Sequence, residues 1–219
     1  MAIAFDTATD GGHTTGASLT FAHTCTGSNL FLVVGIFYVA GANDISSVTY
    51  NGVAMTQAIK GPAESGGRFT YIYFLANPSS GANNVVITPS ASGNDLFGVS
   101  ASYTGAIQSS SVADSTNSNS SGSGNASVAV TTVADNCWVT GVWRNSGTSS
   151  TAGSGTTVRK TIAATSDSVG ICDSNTNVSP PAAYTLNVNG TAPWGMSGAS
   201  FAPFVAVSAT RSNLLMMGV

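Results

Sequence analysis

Residues 48–56 read VTYNGVAMT. Asn51-Gly52 accepts positive φ at both central positions, as a two-residue type I′ hairpin requires, and an alternating run flanks it on each side. Working outward, further short β-like runs are separated by Gly, Ser, Asn and Pro. A first set spans 18–23, 30–39, 47–50, 53–59, 68–76, 84–88 and 96–104; a second spans 126–133, 137–143, 156–162, 169–173, 184–188 and 194–202. In RFTYIYFL (68–75), Phe69, Tyr71, Tyr73 and Leu75 share one face while Ile72 and Phe74 share the other. Apolar groups on both faces predict a strand covered on both sides or lying at an interface. No stretch keeps a helical period over three turns, so the chain is expected to be all-β, a sandwich or a barrel.

The chain has 219 residues, of which 7% are charged against roughly 25% in an ordinary soluble domain, and a formal net charge of -3. Six Lys and Arg are too few and too scattered to neutralise a run of phosphates, which excludes a basic nucleic-acid binder. The same scarcity argues against a polybasic membrane anchor. The longest apolar run, 30–40, is shorter than the ~20 residues a spanning helix needs. No secretory leader is read at the start, so synthesis in a cytosol is expected.

The order of segments repeats weakly. SLTFAHTCTGSNLFLVVGIFY corresponds to SVAVTTVADNCWVTGVWRN, and the run from Phe74 to Ala106 corresponds to that from Ile171 to Phe204. Gly98-Val99-Ser100 is matched to Gly195-Met196-Ser197. Either each half is a small sandwich, or both halves build one jelly roll; the single jelly roll is favoured because each half alone has a thin core. The expected organisation is a jelly-roll-like β-sandwich over 1–204, with halves 1–107 and 125–204 joined by a Ser/Asn/Gly-rich crossover, 108–124. Residues 205–219 are expected to form an apolar C-terminal arm, either folded back onto its own sandwich or docked on a neighbouring subunit or the decorated surface.

The segments SSVTYNGVAMTQ, YFLANPSSGANNVVIT, VSASYTGA and WGMSGASFAP resemble a β-sandwich module of tailed-phage virion proteins and bacterial surface proteins, over about Phe5 to Pro203. The motifs are structural, so the resemblance implies a building block and carries no catalytic residue.

Chemistry-bearing residues are sparse. The two histidines, His13 and His23, lie near the N-terminus, and Ser100 falls inside a strand rather than on a nucleophile elbow. Nine acids sit mostly in turn contexts, with Glu64 the only glutamate, and no pair is singled out for glycoside hydrolysis. Asp6, Asp10 and His13 in FDTATDGGH are the one candidate cation loop, with an N-terminal turn as the commoner meaning. Cys25, Cys137 and Cys172 read as buried thiols, with a Cys137–Cys172 bridge as the alternative. Trp138 and Trp143 fall on opposite faces, which leaves at most one free for a sugar, and Trp194 begins a strand. No catalytic residue, cofactor or metal site is therefore assigned.

The expectation is a non-enzymatic phage virion protein, a capsid decoration (cement) protein made in the host cytoplasm. It would assemble with itself, as a trimer by analogy, and on the major capsid protein. Sparse charge suits contacts that salt weakens little. Leu214, Leu215, Met216, Met217 and Val219 are the expected subunit or capsid contacts. The alternative is a tail-tip or fibre adhesin domain that binds a host glycan.

Overall fold

The structure, a computed structural model, describes residues 2–39, 41, 44–62, 64, 66–108, 113–164 and 166–205. These form β1 (Ala4–Thr14), β2 (Leu19–Cys25), β3 (Phe31–Val39), β4 (Ile45–Tyr50), β5 (Val53–Ala54), β6 (Thr56–Lys60), β7 (Arg68–Ala76), β8 (Gly81–Pro89) and β9 (Leu96–Thr104). The second half adds β10 (Ser115–Ser121), β11 (Ala126–Thr131), β12 (Trp138–Ala152), β13 (Thr157–Ala163), β14 (Asp167–Asp173) and β15 (Ala183–Phe201). No helix occurs among the described residues, and every ladder is antiparallel. The Asn-Gly hairpin joins β4 to β5 as read, with φ of 49° at Asn51 and 75° at Gly52.

In the first half an inner sheet, β1-β9-β3-β7-β6, faces an outer sheet, β2-β8-β4-β5. Leu32, Val34, Ile36, Tyr71 and Tyr73 point from the inner sheet toward Val48, Tyr50, Val85 and Ile87 of the outer one. Phe31, Val33, Ile72, Phe74 and Val99 point the other way, onto Val142, Ile171, Ala199 and Phe201 of the second half. Strand β7 is thus covered on both faces, as its two apolar stripes require. In the second half one six-stranded sheet, β10-β15-β12-β14-β13 with β11 on β15, folds over itself. Residues 183–191 of β15, with β11 and the end of β12, cover Val139, Trp143, Cys172 and Met196.

The repeat is visible in the ladders. Strands β1, β9, β3, β7 and β6 stand in the same order as β10, the end of β15, β12, β14 and β13. Strand β12 does the work of β3 and β4 together, and β15 that of β8 and β9. The halves meet reciprocally: β7 lies on β15 and β14 on β9, β6 on β10 and β13 on β1, with β3 against β12 between them. Such an isologous pattern is that of a two-fold interface. At its centre Gly35 faces Val142, and the ladders make these two residues equivalent, since Gly35 pairs with Ile72 and Val99 while Val142 pairs with Ile171 and Ser197.

The same ladders correct the matching of Gly98 with Gly195. Gly98 faces Leu19, Phe21 and Ile87, whereas Gly195 faces Glu64 across the halves; the residue equivalent to Gly98 is Met196. A slip of one residue exchanges the two faces of a strand. All named sheets draw their strands from one half, so the sheets of the two halves do not intermix. The polar stretch read as a crossover contains β10, and FDTATDGGH lies within β1 rather than in a loop. Leu214, Leu215, Met216, Met217 and Val219 lie outside the described residues.

Candidate functional site

Three buried polar groups hold most of the chemistry. In the first, β2 carries His23 inward until its Nδ1 meets the hydroxyls of Thr9 on β1 and Ser100 on β9, each at 2.9 Å. Nε2 is buried and has no hydrogen-bond partner. Desolvation pushes the imidazole down to about 4, opposed by the Asp6 charge. Asp6 does not orient the ring; its carboxylate accepts from Ser102 Oγ at 2.7 Å and from the Thr26 amide at 2.8 Å. His23, Ser100 and Ser102 are buried to within 1%. The serine and histidine that the sequence weighed separately do meet, yet as a brace between outer and inner sheets.

The second and third groups lie between the halves. Arg144 on β12 reaches Glu64 Oε2 at 2.8 Å and also grips Asp167, with its guanidinium 5.4 Å from the Phe37 ring centre. Burial raises the Glu64 carboxyl, with Arg144 opposing. On the other side Arg159 on β13 donates to both oxygens of Asp173, at 2.7 and 2.9 Å, and lies 4.0 Å from the Phe5 ring centre. Tyr103 on β9 donates to Asp173 at 3.1 Å, and Thr70 and Ser197 hydroxyls meet at 2.8 Å. Burial raises the Asp173 carboxyl despite Arg159. Sequence reasoning missed these clusters. The available signal was a charge inside an otherwise apolar strand, as in GVWRN and GICD.

The remaining candidates separate. Asp10 caps the Gly12 amide and His13 pairs with Asp95 at 2.8 Å, so Asp6, Asp10 and His13 are not brought together. No group of three or more His, Cys, Asp or Glu side chains suited to a metal occurs among the described residues. Cys25, Cys137 and Cys172 are free and buried; no Cys137–Cys172 bridge is formed. Trp138 and Trp143 do face opposite ways, but both are buried, and so is Trp194. The sequence left at most one of them free; Trp138 is covered by the first half, against Tyr103, and Trp143 and Trp194 lie under the second layer of their own half.

The outward faces are built differently. On the first outer sheet Thr20, Ala22, Thr24, Ser47 and Asn84 look outward, and on the second Ala129, Thr131, Thr185 and Asn189; none is charged. Sheet edges are blunted. Strand β1 slips register twice, and β6 and β13 once each. On β10, Asn117 and Asn119 turn their Oδ1 atoms to the next amides and donate to the β11 carbonyls of Ala129 and Ser127. Contacts through open β-edges are therefore obstructed at these strands.

No family model, curated protein or solved structure matches the chain.

Proposed function

We propose that this chain is a non-enzymatic structural protein of a phage virion, a capsid decoration (cement) protein that assembles with itself and on the major capsid protein. The observation that carries the reading is the division of labour among its polar groups. The buried charged and nucleophilic side chains brace layers against each other, while the broad outer faces present neutral hydroxyls and amides. A block stiffened from within, with uncharged broad faces, suits a permanent coat, because contacts through those faces depend little on ionic strength. The sequence resemblance to virion modules supports the same setting. The proposed assembly is a trimer, with Leu214, Leu215, Met216, Met217 and Val219 as contacts to subunit or shell.

Each half is proposed to be a jelly roll. The order β1-β9-β3-β7 facing β2-β8-β4-β5 supports this for the first half, since it is the order two interlocked Greek keys produce. The adhesin alternative is less well supported, because the three tryptophans are buried and offer no ring platform to a sugar.

Co-sedimentation with empty heads of the encoding phage tests the reading. Saturable binding, lost on deletion of residues 206–219, is expected. Absence of binding to heads, together with saturable binding to a glycan, would replace decoration by adhesion.

A further inference from the structure

Among the described residues, three of the buried side-chain atoms that lack a hydrogen-bond partner share one face of the second half: Trp143 Nε1, Asn145 Oδ1 and Ser168 Oγ. All three residues are fully enclosed. Trp143 and Asn145 alternate with Arg144 on β12, so they point the same way. Ser168 stands directly opposite Asn145 on β14. The Trp143 ring, through Cζ2 and Cη2, covers Gly170, which shares that face of β14 with Ser168. The place is a corner. After Asn145 the register of β12 on β15 breaks, and from Ser146 the strand runs in the covering layer, beside Thr191 and Asn189. The Asn145 amide donates to Ser150 Oγ at 2.9 Å across that bend, and Gly190 packs against it with no room for a Cβ.

The first half builds the equivalent corner from rings. The ladders that match Val142 with Gly35 match Asn145 with Tyr38 and Ser168 with Phe69, a pair that also stands face to face. Tyr38 satisfies its own hydroxyl, donating to the Ala91 carbonyl at 2.8 Å and accepting from Asn94 at 3.3 Å. An amide and a hydroxymethyl in place of two rings bring less volume and more polar atoms. Trp143 and Trp194, in place of Ile36 and Leu96, return part of the volume, yet Trp143 adds a donor of its own. Directly opposed residues on neighbouring strands have Cβ atoms about 5 Å apart, a gap that one water spans. The corner asks for a small neutral group that accepts from an indole N–H, donates to an amide oxygen and shares a hydrogen bond with a hydroxyl. The indole donor repels a cation and the amide oxygen an anion. Water meets all three demands, and a buried water ordinarily makes about three hydrogen bonds. With the Asn145 amide turned over, water answers its N–H as readily as its C=O. We propose that the second half holds one internal water at this corner, bound by Trp143 Nε1, Asn145 Oδ1 and Ser168 Oγ, where the first half places Tyr38. That water pins the bend of β12 and joins the two layers, independently of what the outer faces bind.

A high-resolution crystal structure of the full chain, together with water-to-indole NOE measurements on the isotope-labelled protein, tests it. Density for one water within about 3 Å of all three atoms is expected, with a cross-peak of the sign given by a long-lived water at the Trp143 indole proton. Asn145→Leu fills the corner with apolar atoms and is expected to lose both signals; if that variant does not fold, the wild type alone decides. A direct Asn145–Ser168 hydrogen bond with no density between the two side chains, or a cross-peak undiminished in Asn145→Leu, would overturn the proposal.

Discussion

Gly35 is a glycine because its equivalent, Val142, occupies the space its Cβ would need; the nearest Val142 methyl would stand 2.4 Å away. Gly35→Ala is expected to wedge the halves apart at a cost of about 1–3 kcal/mol, read as a lower urea midpoint with an unchanged slope. His23 makes a second prediction. Its ring titrates at about 4 when folded, against an ordinary 6.5. The unfolded chain therefore takes up a proton first as pH falls. Stability on this account is full above 6.5, declines between 6.5 and 4 and levels off below, by about 3 kcal/mol in total. The raised carboxyls of Glu64 and Asp173 act in the opposite sense, gaining stability as acid is added. The His23 contribution is thus read as the difference between wild type and His23→Gln in urea titrations at pH 7, 5 and 4; a difference independent of pH would refute it.

At the scale of the element, β13 is held to the first half through Arg159. Removing its guanidinium leaves Asp173 buried and uncompensated, so Arg159→Met is expected to cost about 3–5 kcal/mol. Asp173→Asn in the same chain should recover much of that loss in a denaturation series. Which elements could be read beforehand follows from how their polar groups are satisfied. The Asn51-Gly52 hairpin and the two-faced β7 were legible, because a turn needing positive φ and a strand buried twice leave unmistakable residue patterns. Strand β10 was not legible. STNSNSS looks like a linker, yet its asparagines satisfy an edge that a sheet would otherwise leave open. Strand β1 was hidden by the glycines and aspartates that form its bulges. The register of the repeat was missed by one residue because Gly-x-Ser occurs in both halves on opposite faces.

At the scale of the whole molecule, the repeat order was present in the sequence while its meaning was not. Two inner sheets meeting about a two-fold axis depend on charges that become visible only when Glu64 and Arg144, or Tyr103 and Asp173, lie side by side. The candidate site was legible only in part, since no residue pattern along one strand shows that Ser100 and His23 meet across two sheets. The proposed role is that of a coat component, stiff within and uncharged on its broad outer faces. Binding of the full chain to empty heads, measured as copies bound against concentration at low and high salt, tests that most directly. The account predicts a fixed plateau, the same at both salts and matching whole oligomers on symmetry-related positions of the shell. No plateau, or binding abolished by moderate salt, would contradict it.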